Sequence, residues 1–99
     1  MLNTLIAERY AKALLRAAEA EKALVAVGEQ AEGLSQALHA AEGAQRFLAD
    51  PVAEPGSKLA VMTAAFEGGP HAVLRSFLQA VLEHKRERFL PLILAAFLK

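Results

Sequence analysis

Apolar residues recur along this chain at three- and four-residue intervals, the spacing that lines one face of an α-helix. Period-two alternation never lasts more than a few residues, so the pattern predicts no strands. A first helix is expected from Asn3 or Thr4, either of which can cap it, to about Ala20. A second runs from Lys22 to Ala41, with Gly43 ending it. Gly28 and Gly33 lie inside it at a cost of roughly 1 kcal/mol each against alanine, which suggests a close backbone approach or a bend. A short third helix covers Ala44 to Ala49 and stops at Asp50–Pro51. The fourth begins at Pro55, a good first-turn residue, and ends at Gly68–Gly69. The fifth begins at Pro70 and runs to Lys85; the sixth starts near Arg88, takes Pro91 in its first turn and continues to the end. The fold class is therefore all-α, a six-helix bundle forming a single domain over residues 1–99.

Two of these helices are more apolar than a bundle requires. The second helix carries one stripe, Val27, Ala31, Leu34 and Leu38, and the fourth carries Leu59, Met62, Ala65 and Phe66; both read as core. The first helix instead has a single polar stripe, Glu8, Lys12, Arg16 and Glu19, with Arg9 beside it. Two apolar stripes adjoin it, Ile6–Tyr10–Ala13–Ala17 and Ala7–Ala11–Leu14–Ala18. The fifth helix repeats this, with His71, Arg75, Gln79 and Glu83 polar and Val73, Leu74, Phe77, Leu78, Ala80, Val81 and Leu82 around them. Either both helices are central and packed on two sides, or one stripe of each faces the core and the second stripes flank a shallow groove. Such a groove, floored by small residues, accepts an amphipathic helix from a partner.

Composition sharpens this. The 99 residues are 55% hydrophobic and 22% charged, too apolar for a disordered chain. For a small fold that share means apolar surface that is exposed or covered by a partner. Eleven basic and eleven acidic residues give a net charge of zero, which argues against nucleic acid or anionic lipid as the main partner. Without cysteine there are no disulfides, thiolate metal sites or thiol catalysis. The N-terminus lacks a signal-peptide pattern, and no stretch approaches the roughly 18–20 uncharged apolar residues of a membrane span. A cytoplasmic protein with no direct membrane insertion is expected, docked to something larger.

Candidate chemistry is sparse. His39, His71 and His84 show no metal-pair spacing, and Ser35, Ser57 and Ser76 have no His/Asp pattern around them. Gly68–Gly69–Pro70 lacks the preceding strand and following lysine of a phosphate loop. No catalytic residue, cofactor or metal is expected. His84-Lys85-Arg86-Glu87-Arg88, the one basic cluster, reads as a solvated turn favouring a helix C-terminus or as a contact for an acidic partner. Tyr10, the only tyrosine, is either a core residue with its tip at the surface or a groove wall with its hydroxyl at the rim.

Three stretches carry a family resemblance. They are Ala7-Glu8-Arg9-Tyr10-Ala11-Lys12-Ala13-Leu14, then Phe47-Leu48-Ala49-Asp50-Pro51 followed by Lys58, and then Phe77-Leu78 through Leu82, Arg86, Leu90-Pro91, Ile93 and Phe97. In this order they resemble the N-terminal domain of the delta subunit of F-type ATP synthases, whose mitochondrial counterpart is the oligomycin-sensitivity-conferring protein. The resemblance covers essentially the whole chain. It implies a six-helix bundle and a non-catalytic role in the peripheral stalk (stator) of a proton-translocating ATP synthase, peripheral to the cell membrane. It also implies that the N-terminal helix of an alpha subunit binds between helices 1 and 5. The docking set expected is Ile6, Tyr10, Ala13 and Ala17 with Val73, Ser76, Phe77 and Ala80. The family's C-terminal domain, which contacts the b-subunit stalk, is expected to be absent from this chain. The alternative from another class is a self-associating helical scaffold or a ligand-binding regulatory bundle.

Overall fold

The computed structural model describes residues 2–64 and 66–99. Among these residues six α-helices follow one another: α1 (Leu2–Ala20), α2 (Leu24–Ala40), α3 (Glu42–Ala49), α4 (Pro55–Thr63), α5 (Ala72–Glu83) and α6 (Leu90–Phe97), the last entered through a 3-10 turn at Glu87–Phe89. Among the described residues there is no strand.

Several boundaries differ from the sequence expectation, each for a local reason. Asn3 and Thr4 lie inside α1 rather than capping it. Lys22 does not open α2; it closes α1. Its φ is +55°, and the N–H groups of Lys22 and Ala23 donate to the carbonyls of Glu19 and Ala18 at 3.0 and 2.8 Å. That is a Schellman closure with lysine in the left-handed position that glycine usually takes. The same closure ends α5. There Lys85 has φ +57°, and the N–H groups of Lys85 and Arg86 donate to Leu82 and Val81. Gly43 does not stop a helix but lies within α3, which starts earlier than expected with Glu42 in its first turn. There an acidic side chain favours the exposed N–H groups. Gly28 and Gly33 admit no close neighbour: a Cβ at either would meet nothing within 4 Å, and α2 runs through both.

α4 ends at Thr63, well before the two glycines, and the Thr63 hydroxyl donates back to the Leu59 carbonyl at 2.9 Å. Such back-bonding competes with continuation of a helix. Gly68 and Gly69 then turn the chain with φ of +78° and +85°. α5 starts at Ala72, not Pro70. His71 caps it, its Nδ1 accepting from the Val73 N–H at 3.1 Å. The His71 N–H in turn donates to Gln30 Oε1 at 2.7 Å, tying the α4–α5 connection to α2. Pro91 falls in the first turn of α6, as expected.

The core is the inward stripe of every helix. Ala7, Leu14 and Ala18 of α1 meet Val27, Ala31, Leu34 and Leu38 of α2, Leu74, Leu78 and Val81 of α5, and Leu90, Ile93 and Leu94 of α6. α6 packs most extensively along α1 and also against α2, while α5 touches α1, α2 and α4. The stripe expected on α4 is only partly core: Met62 is buried, but Leu59 and Phe66 are half-buried, and Ala65 lies outside the described residues. The other buried side chain of α4 is a lysine, Lys58, one turn before Met62.

Candidate functional site: the seam between α1 and α5

The first apolar stripe of α1, Ala7, Ala11, Leu14 and Ala18, is buried. The second is not: Ile6 and Tyr10 are half-buried, and Ala13 and Ala17 are exposed. On α5 the core takes Leu74, Phe77, Leu78, Val81 and Leu82. Beside them Val73 and Ala80 are half-buried and Ser76 is exposed. So α1 and α5 are each packed on one side only along this edge. Phe77, at 9% exposure, belongs to the core and reaches the seam from below.

Aromatic contacts fix the two helices against each other here. The Tyr10 ring meets Phe77 edge to face, with centroids 6.3 Å apart and planes at 72°. It meets His84 in the same manner at 6.5 Å and 66°. Edge-to-face pairs at such distances are favourable beyond the area they bury. His84 is held in place by its Nδ1 against the Ala80 carbonyl at 2.9 Å. Along the seam the half-buried Tyr10, packed on Phe77, is accompanied by exposed Ala13, Ala17 and Ser76 and half-buried Ala80, with His84 the titratable side chain against the tyrosine ring.

Elsewhere the polar groups serve the fold. His39 Nδ1 lies 2.7 Å from the Ser35 carbonyl. Among the described residues no three His, Asp or Glu side chains are placed to share a metal ion. An open cleft of about 840 Å³ lies between the α3–α4 connection and the C-terminal end of α5, with Pro51, Val52 and Pro55 on one wall and Leu82 and Glu83 on the other. Its buried polar residues are Lys58 and Glu87. Lys58 Nζ donates to Glu87 Oε2 at 2.6 Å and to the Leu48 carbonyl at 2.9 Å. Its ammonium is engaged in joining α3, α4 and the 3-10 turn, which makes this a structural pair rather than a receptor.

That pair revises the reading of the basic cluster. Glu87, the one acid in it, is buried. Lys85 closes α5, and Arg88 lies exposed with its guanidinium 4.8 Å from the Phe89 ring centroid. It also gives a physical reason for the spacing of Leu48 and Lys58 in the second motif stretch. Sequence patterning alone missed the pair, because its members are 29 residues apart.

Comparison with known proteins agrees with the three motif stretches. Residues 6–99 match the family described as "ATP synthase delta (OSCP) subunit". The chain is 31% identical over 97 residues to the ATP synthase subunit delta of Desulforamulus reducens, covering 98% of this chain and 54% of that protein. It is 28% identical over 98 residues to the subunit delta of Microcystis aeruginosa, covering 99% of this chain and 54% of the relative. The chain spans about half the length of the curated relatives it matches. No solved structure matches it. A family match running from the first turns of α1 to the last residue, on an all-α bundle of six helices, places this chain in the ATP synthase delta (OSCP) subunit family.

Proposed function

We propose that this chain is a non-catalytic peripheral-stalk component of an F-type ATP synthase, and that it binds the N-terminal helix of an alpha subunit in the seam between α1 and α5. The observation that carries the reading is the second apolar stripe of α1. Ile6, Tyr10, Ala13 and Ala17 continue beside a full core without being covered by it. On α5, Val73, Phe77 and Ala80 recur at helical spacing with Ser76 beside them, and Phe77 meets Tyr10. Small residues there let a helix backbone approach closely, and Tyr10 and Phe77 supply the large apolar contacts that dominate binding energy.

The mechanism is mechanical. A stator resists the torque of the turning central shaft by keeping the catalytic head from rotating with it. Attachment needs only burial of an apolar helix face, at about 25 cal/mol per Å² before the ordering costs of association. The b-subunit contact belongs, on this reading, to the half of the relatives' length that this chain does not span. The protein acts at the cytoplasmic face of the membrane, peripheral to it; no helix among the described residues is long and apolar enough to cross a bilayer.

The test is calorimetric titration of the chain with a synthetic peptide of the alpha-subunit N-terminus. Binding is expected, and Tyr10→Ala and Ala80→Asp are expected to weaken it at least tenfold, about 1.4 kcal/mol, with helical circular dichroism unchanged. Absence of binding at high micromolar peptide overturns the reading. So does a tight homodimer that buries α1 and α5 against a second copy, seen by sedimentation.

A further inference from the structure

The two edges of the seam differ in charge. Successive helical residues turn by about 100°, so residues three and four apart are neighbours on the surface. Ala13 therefore sits between Arg9, four residues before it, and Arg16, three after it. Both arginines are exposed and lie on the far side of the seam stripe from the buried one. They are seven residues apart, two turns or about 10 Å along the axis. Among the described residues the ion pairs are Arg46–Glu42 and Lys58–Glu87, so neither arginine has an acidic partner. Glu8, Lys12 and Glu19 continue the polar stripe of Arg16 on the side of α1 farther from the seam. The edge formed by α5 is different: Ser76 and Gln79 are exposed and uncharged, and the exposed charged residues of its polar stripe, Arg75 and Glu83, are of opposite sign. The chain is neutral as a whole, so this imbalance is local.

Resting on the groove reading above, we propose that the occupant of the seam is an amphipathic helix with an acidic flank. Carboxylates about two turns apart lie over Arg9 and Arg16, and the flank over α5 lacks them. This fixes how the helix is rolled in the seam, because the reverse roll would leave both arginines unpaired and bring carboxylates to an edge where Glu83 offsets Arg75. It also rejects helices of similar apolar face but basic flank. Exposed rim charges of this kind act on encounter more than on residence, and their effect fades with salt.

The experiment is stopped-flow binding of the alpha N-terminal peptide at about 20 mM and about 300 mM salt. The proteins are the wild-type chain, Arg9→Gln/Arg16→Gln, and Arg46→Gln as a control on α3. The double variant should associate about three- to tenfold more slowly at low salt, with its dissociation rate within about twofold of wild type and a flattened salt dependence. The control should behave as wild type. Equal association rates in the double variant and the control overturn the proposal, as does faster association once the arginines are gone. A peptide that the wild-type chain fails to bind overturns the groove reading and this inference with it, whereas tight binding indifferent to Arg9 and Arg16 overturns the inference alone.

Discussion

Lys58→Met tests the joint at the base of the bundle. Lys58 is 3% exposed and Glu87 9%, and their contact at 2.6 Å is reinforced by the Leu48 carbonyl at 2.9 Å. Methionine of similar length fills the space of the lysine stem but leaves the Glu87 carboxylate buried without a counter-charge. Its Oε1 is already buried without a hydrogen-bond partner, so the variant strands both oxygens. Breaking one side of such a pair costs about 3–5 kcal/mol. A domain of this size holds only about 5–15 kcal/mol in total, so between a fifth and nearly all of the stability is at stake. The melting temperature should fall by at least about 12 °C, since 1 kcal/mol corresponds to about 4–8 °C here. Lys58→Met/Glu87→Leu should behave differently. With both charges gone, the remaining loss is one hydrogen bond to Leu48, and stability should return to within about 2 kcal/mol of wild type or exceed it. Urea unfolding followed by circular dichroism gives all four corners of the cycle. A single-variant cost below about 1 kcal/mol, or a double variant equal to the sum of the singles, would refute the assignment of a coupled buried pair.

Other outcomes follow from packing and backbone geometry. Leu78→Ala, at a fully buried position of α5, should cost about 2–5 kcal/mol in urea, whereas Leu92→Ala on the half-exposed side of α6 should stay within about 1 kcal/mol. Lys22→Gly should raise stability by about 0.5–1 kcal/mol, because glycine takes the left-handed closure of α1 without strain; a lower urea midpoint would count against that closure. Two glycines should respond oppositely to alanine. Gly33→Ala gains up to about 1 kcal/mol inside α2, while Gly69→Ala loses about 1 kcal/mol or more from its φ of +85°, although the nearest atom to its Cβ would be 3.7 Å away.

Periodicity made the second helix legible to the residue: Val27, Ala31, Leu34 and Leu38 are its four buried positions. That stripe needs only local spacing, and nothing competes with it. The same reasoning found two stripes on α1, but whether a stripe is covered depends on where the other helices lie, which spacing does not encode. The helix ends were hardest to read. Lys22 and Lys85 occupy positions that glycine usually marks, so the sequence carries no sign of them, and Lys22 closes α1 where spacing alone puts it at the start of α2. Lys58 illustrates the other gap. A lysine one turn before Met62 reads as surface until the chain brings Glu87 to it from 29 residues away. The imbalance of apolar residues was also only partly placed. α1 and α5 carry it, but α6, with Leu90, Ile93 and Leu94 fully buried and Leu92 partly open, is the most apolar of the described helices.

The packing of α1 along α6 sets an order of events for a chain made from its N-terminus. α1 is synthesised before the other five helices, and its most extensive partner, α6, emerges after all of them. Until residues 90–97 are available, Ala7, Leu14 and Ala18 lack the larger part of the surface that covers them, with α2 and α5 supplying the rest. Contacts between such distant segments form late, because closing a long loop costs entropy before it returns stabilisation. The Tyr10 side of α1 is held by Phe77 and His84, so it too waits on residues far along the chain. Burial of the α1 core stripe is thus coupled to completion of the bundle.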